Sequence, residues 1–244
     1  MPELVIHPLP ETVAPTDLAG GVVVVIDVLR ATTVIVQALA QGARAVVAAA
    51  SVAEARQMAS RWPARERLLG GERQGVKIEG FDLDNSPFSY GPEVVTGKTI
   101  VFTTTNGTRA LRWAEQAADI RIGAFANLSA VVESLRDETR PVHLLCAGTD
   151  NRITGEDLLV AGAMADRLSE VFSIHRESLI FAEFWRQHGV EAQERLRTMR
   201  ESAGGRNLVE LGFDQDIERS SQIDLFAVVP QLDRASGELR IAHS

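Results

Sequence analysis

Val22-Val23-Val24-Val25-Ile26-Asp27-Val28-Leu29-Arg30-Ala31-Thr32-Thr33 is the stretch that decides how this chain folds. The apolar run Val22 to Ile26 reads as a strand covered on both faces, which is the signature of a parallel sheet. Thr33 to Gln41 has the length of a helix, and Gly42 stands where a helix ends. Ala45 to Ala49 is a second strand, and Ser51 followed by Glu54 is a capping box that opens a helix towards Arg61. Strand, turn, helix and strand in this order make one βαβ unit.

The same order returns from Lys98 onward. Ile100 to Thr103 reads as a strand, Thr108 to Ala117 as a helix and Ile120 to Ala124 as a strand, with Asn127 capping a helix through Arg136. Val142 to Cys146 is a further strand, followed by a polar loop and a helix starting near Thr154. The expected fold is therefore α/β, a three-layer α/β/α arrangement with a mostly parallel sheet built from two similar βαβ halves. Residues 1–96 form the first half, with a long active-site loop at 70–92. Residues 97–244 form the second, with a helical elaboration (178–188 and 193–203) and a C-terminal hairpin pairing Leu225–Val229 with 238–242. Together they are read as one compact catalytic unit. Ligands of such sheets bind beyond the carboxyl ends of the strands. Three turns should gather there: Asp27 to Thr33, Thr103 to Thr108, and Cys146 to Thr154.

Composition narrows the function. The 244 residues carry a formal net charge of −8, which opposes nonspecific binding to nucleic acid. No apolar run approaches the roughly 20 residues of a membrane helix. A single cysteine, Cys146, excludes an intrachain disulfide. With no leader pattern visible, the cytoplasm is the expected location. No nucleic-acid or membrane partner is expected, a homodimer is compatible with this reading, and an anionic small substrate would need a local cation to overcome the net charge.

Chemistry concentrates in the turns. Asp27 and Arg30 bring a carboxylate and a guanidinium to one sheet edge, where the first suits Mg²⁺ and the second phosphate, unless the pair is a structural ion pair. Thr103-Thr104-Thr105-Asn106-Gly107-Thr108 offers hydroxyls, an amide and backbone N–H groups to an anion at a helix start. Glu156 and Asp157 serve either as helix caps or as further oxygen ligands, and Glu72 is a candidate of the same kind. Gly97-Lys98-Thr99 is not a P-loop, because it precedes a strand. Cys146 and Arg152 have the spacing of a cysteine-phosphatase loop, although Asp150 between them would repel phosphate.

Five segments taken together resemble the 2-phosphosulfolactate phosphatase family: Val25 to Thr33, Gly71-Glu72-Arg73, Gly80 to Pro87, Thr104 to Thr108 and Cys146 to Thr149. The resemblance implies an Mg²⁺-dependent enzyme that removes phosphate from 2-phospho-3-sulfolactate, a step of coenzyme M biosynthesis. On this reading the partner is a small anionic phosphoester, Asp27 and Arg30 are the catalytic residues, and Mg²⁺ is held by Asp27 with some of Glu72, Glu156 and Asp157. Arg30, Thr104, Asn106, Gly107, Thr108, Asn85 and Ser86 would bind the substrate and its phosphate. Two alternatives stand beside it: a metal-independent cysteine phosphatase using Cys146 and Arg152, and a noncatalytic anion-binding protein.

Overall fold

In the computed structural model, which describes residues 1–241, eleven strands lie in one sheet flanked by helices. The strands are β1 Glu3–His7, β2 Val22–Ile26, β3 Ala45–Ala48, β4 Arg67–Arg73, β5 Val76–Lys77, β6 Thr99–Thr103, β7 Asp119–Gly123, β8 Val142–Cys146, β9 Ser173–Ile174, β10 Pro230–Asp233 and β11 Glu238–Ile241. The helices are α1 Ala31–Ala40, α2 Val52–Ala59, α3 Pro92–Val95, α4 Gly107–Trp113, α5 Leu128–Leu135, α6 Gly155–Leu168, α7 Leu179–His188, α8 Ala192–Glu201, α9 Ala203–Glu210 and α10 Asp214–Ser220.

The spatial order is β5-β4-β6-β3-β11-β10-β7-β2-β8-β1-β9. Two parallel groups result, β7-β2-β8-β1-β9 and β4-β6-β3, with β5 antiparallel on the edge of the second. The antiparallel hairpin β10-β11 lies between the groups and joins them, with Gln231 opposite Arg121 and Leu239 opposite Val46. The unit β2-α1-β3 crosses from one group to the other, and β6-α4-β7 crosses back. All five β2 residues are buried, as their unbroken apolar run requires. Helix α1 is buried along almost its whole length, so its first turn is held from every side.

Three local readings of the sequence are corrected. Gly70 to Arg73 is strand, the end of β4, paired with β6 up to Gly71 opposite Thr103. Its glycines are required by crowding: a Cβ on Gly71 would collide with the Thr103 carbonyl, and one on Gly70 with the Tyr90 hydroxyl. The C-terminal hairpin begins at Pro230 and not in Leu225–Val229, because that earlier segment turns its backbone to the loop before α5, where Phe226 N–H donates to the Ala126 carbonyl. Position 242 of that expected hairpin lies outside the described residues. Asn127 stands at the N-cap position of α5 but makes no side-chain capping bond to it; its side chain accepts from Ala124 N–H and donates to the Ile122 and Val228 carbonyls.

Candidate active site

Beyond the carboxyl ends of β2, β6 and β8 lies a cavity of about 670 Å³. Its wall includes Asp27, Leu29 and Arg30 from the first turn, Thr104, Thr105 and Asn106 from the second, and Thr149, Asp150 and Arg152 from the third. The three turns expected to gather do so. Glu72, Gln74 and Gly75 of the β4-β5 hairpin and Asn85 complete one side. Ala203, Gly204, Asn207 and Leu208 close another, and nothing in the local pattern of α9 marks it as part of a site.

The first two turns touch each other. A Cβ on Gly107 would come within 2.6 Å of the Ala31 Cβ and 2.8 Å of Asp27 Oδ2, so glycine is the residue that lets α4 approach α1. Gly107 and Thr108 lie behind the cavity wall. The Thr108 hydroxyl donates to the Thr104 carbonyl at 2.7 Å, and the Thr104 hydroxyl accepts from Thr108 N–H at 3.3 Å. Thr103 accepts from Arg73 Nη2 at 2.9 Å. Of the row of hydroxyls, only that of Thr105 is without a partner among the described residues, so the turn is largely self-satisfied and offers Thr105, Asn106 and backbone to a ligand.

Arg30 is 2% exposed and anchored. Its Nη1 donates to Asp216 Oδ2 at 2.5 Å, its Nη2 donates to the Gly75 carbonyl at 2.9 Å, and its guanidinium stacks 4.4 Å from the centre of the Phe213 ring. The Ser86 hydroxyl holds the other Asp216 oxygen at 2.7 Å. Arg30 therefore forms part of the cavity wall while tying α1 to α10 and to the β4-β5 hairpin. Ser86 supports that tie and does not reach the cavity. Asp216 is invisible to local pattern, since it becomes relevant only when α10 packs over α1. Asn85 is 4% exposed, faces the cavity, and its Oδ1 has no partner among the described residues.

Four buried carboxyl groups surround the floor, and they fall into two kinds. Glu72 accepts from Thr105 N–H and Gly75 N–H, both at 2.7 Å, and Asp157 from Val28 N–H at 2.8 Å and Gly148 N–H at 3.0 Å. Asp157 thus joins the turn after β2 to the turn after β8 and does not cap its own helix. Asp27 receives only a long 3.4 Å contact from Ala31 N–H on Oδ1, and Glu156 Oε2 is buried without a partner. Glu156 stands just behind Gly204, where a Cβ would collide with its Oε1. Burial, followed by the charges of Glu72 and Glu156, pushes the Asp27 carboxyl up to about 7. Burial likewise raises Glu156, and burial with Asp27 and Glu156 raises Asp157.

Such a concentration of acid, with two oxygen atoms left bare, fits a hard divalent cation. Among the described residues no three His, Cys, Asp or Glu side chains already converge as a ligand cluster. Mg²⁺ does not need one, because it is commonly held by one or two carboxylates with the remaining positions filled by water and phosphate oxygens. Asp27, in the cavity wall, is such a carboxylate, and Glu156 lies behind Gly204.

Cys146 does not fit a nucleophile. It is 0% exposed at the end of β8, and burial together with Asp157 and Glu156 pushes its thiol well above the ordinary range, away from the reactive thiolate. The cysteine-phosphatase alternative is not favoured.

Comparison with known proteins adds the decisive observation: the family model for 2-phosphosulpholactate phosphatase matches residues 8–235. The chain belongs to this family. A relative from Caldanaerobacter subterraneus subsp. tengcongensis, described as a probable 2-phosphosulfolactate phosphatase, is 40% identical over 216 residues, covering 88% of this chain and 89% of that protein. Proteins described in the same words from Symbiobacterium thermophilum and Thermotoga maritima are 41% and 40% identical, covering 88% and 86% of this chain and 92% and 88% of theirs. The five segments quoted from the sequence all fall inside the matched region. No described helix is long and apolar enough to cross a membrane.

Proposed function

We propose that this protein hydrolyses the phosphate monoester of a small 2-hydroxy acid, converting 2-phospho-3-sulfolactate and water to 3-sulfolactate and phosphate. The observation that carries the reading is the buried Asp27 carboxyl in the wall of a polar cavity built by three strand-to-helix turns, with Glu156, whose Oε2 has no partner among the described residues, just behind Gly204. Family membership and the activity ascribed to the relatives support the reaction and its substrate.

Asp27 and Glu156 would hold Mg²⁺, which, when bound, offsets the charge of the phosphoryl oxygens and of the carboxyl groups facing them. Thr105, Asn106 and the backbone of their turn bind phosphoryl oxygens as hydrogen-bond donors. Asn85 turns its amide into the cavity and orients the organic part of the ester. Arg30 positions Leu29 and Gly75 through its fixed guanidinium, and Asp157 keeps the turns after β2 and β8 in register. In the reaction a water oxygen bonds to phosphorus, the P–O ester bond breaks, and the released 2-hydroxyl oxygen takes a proton.

The test is a phosphate-release screen over 2-phospho-3-sulfolactate, phospholactate, phosphoglycolate and phosphoglycerate, with Mg²⁺ and with a chelator. Activity that is abolished by the chelator and indifferent to thiol alkylation supports the reading. Activity that survives the chelator removes the metal from it. Binding of these esters without any release of phosphate would establish the noncatalytic alternative instead.

A further inference from the structure

We propose that Arg152 is the residue that selects substrates carrying a second acidic group, a carboxylate or sulfonate, beside the phosphate ester. The inference rests on the phosphatase reading above and assigns the remaining unpaired charge of the same cavity.

Two arginines line the cavity, and only one of them is free. Arg30 is paired with Asp216 and also donates to the Gly75 carbonyl. Arg152 makes no side-chain hydrogen bond or ion pair among the described residues, and it shares the wall with the acids Asp27, Glu72 and Asp150. An ester with two or more negative groups entering an acid-lined cavity needs cations in two places. The carboxyl pair Asp27 and Glu156 accounts for one, and Arg152 is the only lining cation left for the other.

Its placement is built and not accidental. Thr149 N–H donates to the Arg152 carbonyl at 3.1 Å and Arg152 N–H donates to the Thr149 carbonyl at 2.9 Å, closing a two-residue hairpin. The central residues, Asp150 and Asn151, have φ of 50° and 59°, the left-handed geometry of a type I′ turn, which Asp and Asn tolerate better than other side chains. Residues exchanging both backbone bonds in this way project their side chains to one face, and Thr149 and Arg152 both reach the cavity. The turn is braced at its base: Gly148 N–H donates to Asp157, and Arg109 donates to the Ala147 carbonyl at 3.2 Å and to the Asn151 side chain. Arg152 is exposed on this turn at the cavity, and its planar fork matches the paired oxygens of a carboxylate or sulfonate.

The experiment compares wild type, Arg152→Lys and Arg152→Ala, all in Mg²⁺, on three esters: 2-phospho-3-sulfolactate, phospholactate without the sulfonate, and glycerol 2-phosphate without either acid. Expected for Arg152→Ala is a 10- to 100-fold rise in KM for the acidic ester that Arg152 grips, with kcat within about threefold. Arg152→Lys should recover part of the loss. KM for glycerol 2-phosphate, or the inhibition constant of inorganic phosphate should that ester turn over too slowly, should stay within about threefold. If phospholactate suffers as much as the sulfonated ester, the carboxylate is the group held; if only the sulfonated ester suffers, it is the sulfonate. Equal losses on all three, a fall in kcat alone, or no loss overturns the proposal for Arg152. A wild-type protein that releases phosphate from none of the three overturns the phosphatase reading itself.

Discussion

Asp27 and Glu156 differ from Glu72 and Asp157 in what their oxygens touch, although all four are buried acids within the same small region. The oxygens of the second pair are occupied by backbone N–H groups, which fixes the loops that bear them. In the first pair Glu156 Oε2 has no donor and Asp27 receives one long contact, and burial raises both carboxyl groups above the ordinary range, Asp27 to about 7. An acid whose hydrogen bonds are complete holds structure together. One left incomplete inside a protein is held ready for something that arrives from outside.

The comparison can be broken by exchanging roles. Asp27→Asn should lower kcat/KM by at least about 10³-fold, about 4 kcal/mol in the barrier, while leaving the urea midpoint unchanged or slightly raised, because an unpaired buried charge has been removed. Steady-state kinetics with a parallel urea melt checks both halves. Retained activity at saturating Mg²⁺ would sink the assignment.

Acid should sharpen the contrast between these carboxyl groups and a buried, strongly shifted basic group, His7. His7 lies against His143, its Nε2 3.0 Å from His143 Nδ1, and burial first, then His143 and His175, lowers it to about 4. A folded-state pKa below the unfolded value of 6.5 means that the unfolded chain takes up the proton first. The stability contribution is therefore complete above about pH 6.5 and is lost as the pH falls towards 4, by up to about 3 kcal/mol. Urea unfolding of wild type and His7→Gln at pH 7 and pH 5 measures it, and an equal pH dependence in both would discount His7.

Asp157→Asn reverses the first experiment. An amide can accept from only one of Val28 N–H and Gly148 N–H and sets a donor against the other, so stability should fall by about 1–3 kcal/mol. Activity should fall less steeply than in Asp27→Asn. A variant with unchanged stability would place Asp157 in the same class as Asp27.

The smallest effect is expected at the thiol. Cys146→Ala should cost about 1 kcal/mol for a buried atom lost and leave kcat within about twofold, read from the same melts and assays. A large fall in kcat would revive the cysteine mechanism.

What the sequence made legible follows from where information is local. Five buried apolar residues in a row announced β2, and an acid directly after them announced a sheet-edge site. Gly70 and Gly71 concealed the end of β4, because a residue chosen for having no side chain leaves no periodicity to read. Asp216 and Gly204 were beyond reach for another reason. Each acquires meaning only from a residue far along the chain, Arg30 and Glu156 respectively, and their own neighbours give no sign of it. The fate of the Thr103–Thr108 hydroxyls was hidden in the same way: a row of threonines reads as a cradle, yet two of the four bind their own turn and a third accepts from Arg73.

The hairpin of β10 and β11 has a consequence in time. Because it occupies the middle of the sheet, the two parallel groups cannot be zipped together until residues 230 to 241 have been synthesised, although β3 and β7 are made long before. During translation both strands would present an open edge to solvent, the kind of surface that invites pairing with other chains. The sheet is therefore completed only when β10 and β11 arrive, as the keystone between two groups made before them.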